Sequence, residues 1–432
     1  QTLHIDYDSS SIKKTTLKDI RKIKKDSNLQ YVDNNLLVYF EENVTDEERQ
    51  EVINAVGGKC VGYINGINMW QVEVEENSID NLTALADQLT KSDKVFYAGC
   101  NMALAAAPMA TAVTPSDPWN GSTWSELNPN NYNWSVEAVQ ALSAWGYDWA
   151  YNHINVGICD AGVDNTHEDL TGKIFFPDAA SAAENNANDD HGTHVAGIMG
   201  AIPNNNLGVT GILWDTNMYC VNWDVLVGTD ANLFAGLTET VQAGAKVVNF
   251  SLGLANDISG YGAPEVNTYV ISYAHQSEAV MKPLLNAGYD FIVCQSAGNG
   301  QNGYSQDAVY NGYFCSVTYT NLLSTTDIVK KINERIIIVG SAERVGVGSF
   351  MQASSSNAGS QVDICAPGVN VYSCYAGGYY GNMSGTSMAS PMAAAVTALA
   401  WSVNPNLTGA EVRAIILNNT CYNVADNQSS YH

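Results

Sequence analysis

Three short motifs contain side chains whose types and positions could carry chemistry. Asp160 ends an apolar, strand-like run, and the carboxyl ends of strands are where open α/β sheets build their sites. His191 lies at the start of a helical pattern, where a histidine can serve as a general base. Ser387 begins a long Ala-rich helical pattern, so its own N–H and the helix dipole would face a developing oxyanion.

Other interpretations of the same motifs are weaker. His191 and His194 are three residues apart, but a zinc site needs a third ligand and usually a glutamate, and none is near. The order Gly-Thr-Ser-Met-Ala at 385–389 differs from the Gly-x-Ser-x-Gly elbow of α/β-hydrolases. An aspartate at a strand end is more often structural than catalytic, so none of the motifs decides the function alone.

The motifs lie in the part of the chain after Asn152, where apolar strands alternate with helical patterns. The predicted strands are short and rich in β-branched residues: Ile154–Cys159, Met218–Val221, Val247–Phe250, Phe291–Val293 and Ile336–Val339. The predicted helices cover His194–Ala201, Leu233–Ala243, Thr268–Ala287, Ala393–Ala400 and Gly409–Leu417. This alternation predicts an α/β fold with a mainly parallel sheet.

The chain before this part predicts a small domain of its own. Residues 35–98 give the order β-α-β-β-α-β, with a capping box at Thr45–Glu48 opening the first helix. Ahead of it, apolar residues at helical spacing in the basic stretch Lys13–Lys25 predict a short amphipathic helix. We therefore expect four parts: a basic N-terminal segment (1–30), the small domain (31–100), a linker (101–114) and the large domain (115–432).

The composition excludes several classes of function. The net charge of −25 argues against a nucleic-acid partner, because phosphate binding needs a basic face. No run approaches 18 apolar residues, so no membrane-spanning helix is expected. The nine cysteines include no CxxC pair, which argues against a metal–thiolate site, and Cys159 and Cys294 lie in apolar runs that predict burial. An acidic chain poor in lysine suits a protein that stays dispersed outside the cell.

Together the three motifs resemble those of the subtilase family of serine peptidases, in the same chain order, over about residues 115–420. The resemblance implies a subtilisin-like α/β fold of three layers with a mainly parallel sheet, preceded by a small ferredoxin-like α+β propeptide. It further implies that Ser387 is the nucleophile, that His191 takes and returns its proton, and that Asp160 orients the imidazole.

Two segments resemble the family's substrate-binding elements. Residues 296–299 are similar to its oxyanion segment, which implies that Asn299 donates to the tetrahedral oxyanion. Ser296, Ala297 and Gly298 would then line one wall of the primary specificity pocket. The strand through Ser251, Leu252 and Gly253 looks like the one that pairs with substrate backbone. Long insertions at about 255–289 and 301–335 flank this pocket, so the resemblance does not extend to specificity.

The resemblance also implies a structural Ca2+ site. Asp169 and the Asn-rich loop at 204–209 are similar to the family's tight calcium site, with Asn205, Leu207 and Val209 as further ligands. Ca²⁺ prefers six to eight oxygens from carboxylates, amides and backbone carbonyls, and these residues can supply several.

The implied function is a secreted serine endopeptidase made as a self-inhibited zymogen. Its partners would be polypeptide substrates and its own propeptide, whose end would enter the cleft as a product-like strand. Cleavage would fall within about Met102–Ala110. Family members add a Gly-rich turn and a further helix after the position of Thr420, so we expect a truncated end or further domains.

Two other functions stay open from the sequence: a non-catalytic binding scaffold that keeps its propeptide, and an esterase or amidase for small substrates. For the peptidase, His191 must be neutral to act as a base. Activity is therefore expected to rise through roughly pH 6–7, near the ordinary histidine pKa.

Overall fold

The computed structural model describes residues 12–13, 15, 19–23, 30–76, 78–103, 111–119, 132–223, 229–254, 263–300, 305–320, 326–346 and 348–419. The chain divides into two compact units, residues 1–109 and 110–432, and each is described by itself. The division lies within the predicted linker. Most of the predicted cleavage segment and the chain after Asn419 lie outside the described residues.

The first unit is one antiparallel sheet with two helices on it. Its elements are β1 (Ile20–Lys22), β2 (Gln30–Phe40), α1 (Asp46–Asn54), β3 (Lys59–Ile64), β4 (Met69–Glu73), α2 (Ile79–Thr90) and β5 (Val95–Ala103). The four longer strands lie in the order β5-β2-β4-β3, the arrangement of a split βαβ unit. The predicted order β-α-β-β-α-β is therefore confirmed.

The ends of the two helices follow from their sequence. The Thr45 hydroxyl oxygen accepts a hydrogen bond from the Glu48 N–H, and the Glu48 carboxylate accepts one from the Thr45 N–H, which completes the predicted capping box of α1. Ser78 caps α2, because its hydroxyl oxygen accepts a hydrogen bond from the Asn81 N–H. The helix predicted around Lys13–Lys25 is wrong at 20–22, because Ile20–Lys22 pairs with Gln30–Val32 as strand β1. The backbone of residues 20–22 pairs with the first three residues of β2, and this pairing overrides the helical spacing of the apolar residues.

The second unit is built on a mainly parallel sheet. Its strands are β6 (Ile154–Asp160), β7 (Ile174–Phe175), β8 (Thr216–Asn222), β9 (Val247–Phe250), β10 (Ile292–Ser296), β11 (Ile336–Gly346), β12 (Ser349–Gln352), β13 (Ile364–Pro367), β14 (Val371–Tyr375) and β15 (Tyr379–Met383). The sheet order is β12-β11-β10-β9-β6-β8-β7, with β13 also on β11. All of these pairs are parallel except β11–β12, and β14–β15 form a separate hairpin.

Helices cover both faces of this sheet. They are α3 (Trp134–Ala138), α4 (Ala141–Ala144), α5 (Ala179–Glu184), α6 (Asp190–Gly200), α7 (Asp230–Gln242), α8 (Ala263–Asn286), α9 (Phe314–Thr320), α10 (Asp327–Asn333), α11 (Thr386–Val403) and α12 (Gly409–Asn418). Successive strand residues enter opposite cores, as a pleated sheet requires. Val247 packs with α6 and α11 on one face, whereas Val248 packs with α7 and α8 on the other. The predicted three-layer α/β fold is confirmed.

Two further findings hold for the part of the chain that the structure describes. No helix there is long and apolar enough to cross a membrane. Cys159 and Cys294 are fully buried, as predicted.

Candidate active site

Asp160 and His191 lie in direct contact. Asp160 is the last residue of β6, and His191 is the second residue of α6. The His191 Nδ1 lies 2.8 Å from Asp160 Oδ1, which also accepts the Ala161 N–H at 2.9 Å. With Nδ1 engaged, Nε2 is the imidazole atom that can exchange a proton.

The charge around His191 comes from two carboxylates. Asp189 caps α6 by accepting the Gly192 N–H at 2.7 Å, so its charge is fixed beside the imidazole. The negative charge of Asp160 is the main cause that raises the pKa of His191 to about 9, and Asp189 adds to it against the opposing effect of burial. The rise of activity with pH is therefore expected above pH 6–7, because the ordinary histidine pKa takes no account of the two carboxylates.

Ser387 lies in the first turn of α11, immediately after Gly385 and Thr386. Its Oγ donates to the backbone carbonyl of Ser251 at 3.2 Å, while Ser251 Oγ donates to the Ser387 carbonyl at 2.8 Å. Among the described residues, no hydrogen bond joins Ser387 to His191. The hydroxyl of Ser387 is therefore directed at Ser251 in this structure.

A buried polar network fixes the start of α11 to the end of β9. Asn249 donates from Nδ2 to Ser251 Oγ at 2.9 Å, and Ser390 Oγ donates to Asn249 Oδ1 at 2.8 Å. Asn249 and Ser390 are both fully buried. We did not predict either residue from the sequence. The available signal was a polar side chain inside the apolar run Val247–Phe250, because a buried amide must find partners.

Asn299 is exposed, and within the described residues its side chain is held through its oxygen. Its Oδ1 accepts the Thr386 N–H at 2.9 Å and the Thr386 hydroxyl at 3.2 Å. These bonds fix the amide orientation, so the Nδ2 donor is the end left for a ligand. The residue stands beside the N-terminus of α11, where backbone N–H groups lack intrahelical partners.

The two predicted substrate segments leave neighbouring strands. Ser251–Gly253 follows β9 and Ser296–Gly298 ends β10, with Phe250 opposite Gln295 in the parallel pair. Gln295 Nε2 donates to the Leu252 carbonyl at 3.2 Å and so ties one segment to the other. Ala297 N–H donates to the Val339 carbonyl at 2.9 Å. The two segments therefore form a pair of fixed walls.

His194 does not join Asp160 and His191. It is fully buried, and its Nε2 donates to the carbonyls of Val371 at 2.9 Å and Gly381 at 3.2 Å. Burial lowers the pKa of His194 to about 4, so the ring is neutral. The prediction of a structural histidine is consistent with this position.

The residues predicted for calcium lie together around Asp169, which is 0% exposed. Its two oxygens accept the Asn205 Nδ2 at 2.5 Å and the Val209 N–H at 2.9 Å. Asn205 Oδ1 accepts the Leu207 N–H at 2.8 Å. These bonds hold the loop 204–209 in contact with the buried Asp169 carboxylate.

Asp117 is a second acidic residue that contacts this loop, and we did not predict it because it lies in a Pro-rich stretch without a pattern. It is 3% exposed and accepts the N–H groups of Asn204 and Asn205. Burial, and to a lesser degree the charge of Asp169, raise its pKa. In the described chain neither carboxylate pairs with a lysine or arginine. Two buried carboxylates without a cationic side chain suit a hard cation such as Ca²⁺.

Comparison with known proteins gives matches over both units. The family model of the subtilase family matches residues 152–431, and that of the fervidolysin N-terminal prodomain matches residues 18–101. Subtilisin amylosacchariticus from Bacillus subtilis subsp. amylosacchariticus is 30% identical over 290 residues, which cover 65% of this chain and 64% of that protein. A thermophilic serine proteinase from Bacillus sp. (strain AK1) is 27% identical over 386 residues, covering 87% of this chain and 80% of that protein.

Among solved structures, the crystal structure of a cold-adapted subtilisin-like serine proteinase is 25% identical. The match covers 64% of this chain and 85% of that chain, with a TM-score of 0.46. The present chain spans 64% of the length of the first subtilisin named above.

Proposed function

The chain belongs to the subtilase family, and we propose that it is a secreted serine endopeptidase made as a zymogen that removes its own propeptide. The observation that carries the proposal is the 2.8 Å contact between Asp160 and His191. It lies at the carboxyl end of β6, and Ser387 in the first turn of α11 contacts Ser251 at the carboxyl end of the neighbouring strand β9. The first unit is the proposed propeptide. The acidic composition supports a location outside the cell.

The first chemical step is attack of Ser387 Oγ on the carbonyl carbon of a bound peptide. His191 takes the hydroxyl proton at Nε2, because its Nδ1 is held by Asp160. Asp160 fixes the tautomer and stabilises the imidazolium that forms. The bond formed joins Oγ to the carbonyl carbon, and the carbonyl oxygen becomes an oxyanion.

The oxyanion is stabilised by donors that are already oriented. Asn299 Nδ2 and the Ser387 N–H would each donate to it, and the dipole of α11 adds positive potential. Collapse of the intermediate then breaks the peptide C–N bond, with His191 returning the proton to the leaving amine. Water, deprotonated by His191, hydrolyses the acyl-enzyme and restores Ser387.

The polypeptide backbone is the proposed ligand of the segments 251–253 and 296–298. An extended substrate adds a strand to the first of these segments, so main-chain hydrogen bonds supply affinity. An esterase for small substrates needs no such strand-pairing segment.

Ca²⁺ is proposed as a structural ligand of Asp169, Asn205, Leu207 and Val209, with Asp117 as an additional acidic group. The cation would neutralise the two buried carboxylates and hold the loop 204–209 on the unit. It takes no part in the steps above.

An intact-mass time course of the purified protein with calcium tests the proposal, with Ser387→Ala as the matched control. We expect the wild type to split within residues 102–110 and the variant to stay whole. If neither splits, a second protease is added to remove the propeptide and a serine-reactive phosphonate is applied. Absence of label then favours the scaffold and contradicts the proposal.

A further inference from the structure

The gap between the segments 251–253 and 296–298 is where a substrate side chain must go. Both segments leave the same sheet edge, since β9 and β10 are parallel neighbours. Ser387 contacts the first segment and Asn299 continues the second. A peptide carbonyl held between Ser387 and Asn299 therefore directs the side chain on its acyl side into this gap. The inference below rests on the proposed function.

The deep part of the gap is occupied by Asn311, which is 6% exposed. Its Nδ2 donates to the Ser296 carbonyl at 2.7 Å, and its backbone carbonyl accepts the Leu254 N–H at 3.0 Å. Asn311 thus bonds to one wall and to Leu254, the residue that directly follows the other wall. Asn311 fixes the distance between them as well as filling the space.

The two glycines of the walls show how little space is left. A Cβ atom added to Gly253 would lie 1.9 Å from Asn311 Oδ1, and one added to Gly298 would lie 2.6 Å from it. Both distances are shorter than any real carbon–oxygen contact. The carboxamide therefore lies directly against the backbone of both segments, and any larger group there would displace it.

We propose that Asn311 is the specificity-determining residue of the pocket and restricts the acyl-side residue of the cleaved bond to Gly, Ala or Ser. A phenyl ring or a branched side chain would have to move a buried carboxamide and leave the Ser296 carbonyl without its partner. A polar floor also gives a long apolar side chain no apolar surface to cover. Short side chains fit without either cost.

The composition of the proposed cleavage segment agrees with this restriction. Five of the nine residues at 102–110 are alanine, namely Ala103, Ala105, Ala106, Ala107 and Ala110. A peptidase that removes its own propeptide must accept the residue before the cleaved bond. We therefore expect the bond to follow an alanine, and not Ala107, because Pro108 comes next.

The experiment measures kcat/KM on peptides that differ only in the acyl-side residue, with Gly, Ala, Ser, Leu and Phe at that place. For the mature wild type we expect alanine to exceed phenylalanine by at least about 10-fold. Asn311→Ala removes the carboxamide and should raise the Phe-to-Ala ratio by at least about 10-fold. Asn311→Asp keeps the volume but loses the donor to the Ser296 carbonyl, so it should keep the preference for small residues at a lower overall kcat/KM.

Several results overturn the inference. They are a wild type that accepts phenylalanine as readily as alanine, an unchanged ratio in Asn311→Ala, and propeptide cleavage after Met102, Leu104 or Met109. If Asn311→Ala does not fold, the wild-type peptide panel and the mapped bond still decide. A wild type that takes a serine-reactive label but cleaves without selectivity contradicts this inference alone. A wild type that neither cleaves nor takes the label contradicts the proposed function as well.

Discussion

At the residue scale, each polar side chain of the site is held at one end so that the other end is free for substrate. Asp160 holds Nδ1 of His191 and leaves Nε2, while Thr386 holds Oδ1 of Asn299 and leaves Nδ2. The positions of Asp160, His191, Ser387 and Asn299 could be predicted because their motifs are contiguous. The position of Asn311 could not be predicted, because its proposed role depends on contacts with Gly253 and Gly298, which are distant from it in the sequence.

The role of Asn299 predicts a loss in turnover and not in binding. Asn299→Ala removes a donor that acts on the oxyanion, so kcat should fall on the order of 100-fold, the range found when subtilisin loses its oxyanion donor, with KM little changed. Steady-state kinetics on one peptide measures this split. Asn188→Ala, an exposed asparagine near His191 in sequence, is the control and should leave kcat intact. A change confined to KM would contradict the role.

The pH dependence of kcat/KM follows from the two carboxylates beside His191. Its pKa is raised to about 9, so the neutral base is scarce at pH 7 and activity should keep rising as the pH approaches 9. Asp189→Asn keeps an acceptor for the Gly192 N–H but removes one charge, so the rise should move to lower pH. Asp190→Asn is the control, because Asp190 is exposed and does not contribute to the shift. A rise of wild-type kcat/KM centred at pH 6–7 would contradict the raised pKa of His191.

At the element scale, the hairpin β14–β15 connects α6 and α11, the helices that contain the proposed base and the proposed nucleophile. His194 of α6 bonds to Val371 on one strand and Gly381 on the other, and β15 leads directly to Ser387. Ser373 Oγ donates back to the His194 carbonyl at 2.8 Å. Movement of the hairpin would therefore change the distance between His191 and Ser387.

Replacing His194 tests this coupling. His194→Phe leaves two buried carbonyls without a donor, so it should lower the free energy of unfolding by about 1–3 kcal/mol and reduce kcat. His194→Gln keeps a donor and should recover part of the stability and part of kcat.

The pKa of His194 in the wild type, about 4, lies below the ordinary histidine value. The stability that this group contributes is thus present above pH 6.5 and lost as the pH falls through 4. Thermal melts in the Ser387→Ala background from pH 7 to 4, with kcat in the active enzyme, measure both effects. Equal melts and equal kcat for Phe and Gln variants would argue against the coupling.

Element boundaries were predictable where burial dictates the sequence. Val247–Phe250 agrees with β9 residue for residue, because both of its faces are buried and three of its four residues are apolar. β2 and β11 extend well beyond the apolar runs of the sequence, through the segments Gln30–Asn35 and Gly340–Gly346, in which polar and apolar residues are mixed. These extensions depend on pairing with β5 and β12, which no local pattern shows.

At the scale of the whole molecule, the fold class followed from the alternation of strands and helices, and the division into two units from a change in composition. The two buried carboxylates Asp117 and Asp169 lie at one loop, and local sequence patterns do not predict this proximity. Asp117 lies 52 residues before Asp169 in the sequence, and only the folded chain brings the two buried carboxylates to one loop. A cation there would act on the stability of the whole unit.

Removal of calcium should therefore lower the melting temperature. A cation present at about 100 times its Kd stabilises the native state by about 2.7 kcal/mol, so chelation by EDTA should lower Tm by several degrees. Calorimetry in the Ser387→Ala background, which prevents self-digestion, compares CaCl₂ with EDTA. Asp169→Asn should abolish the difference, and Asp148→Asn, an exposed carboxylate of the same unit, should preserve it. If Asp169→Asn keeps the full difference, calcium binds elsewhere, and the two buried carboxylates are held by the loop's N–H groups alone.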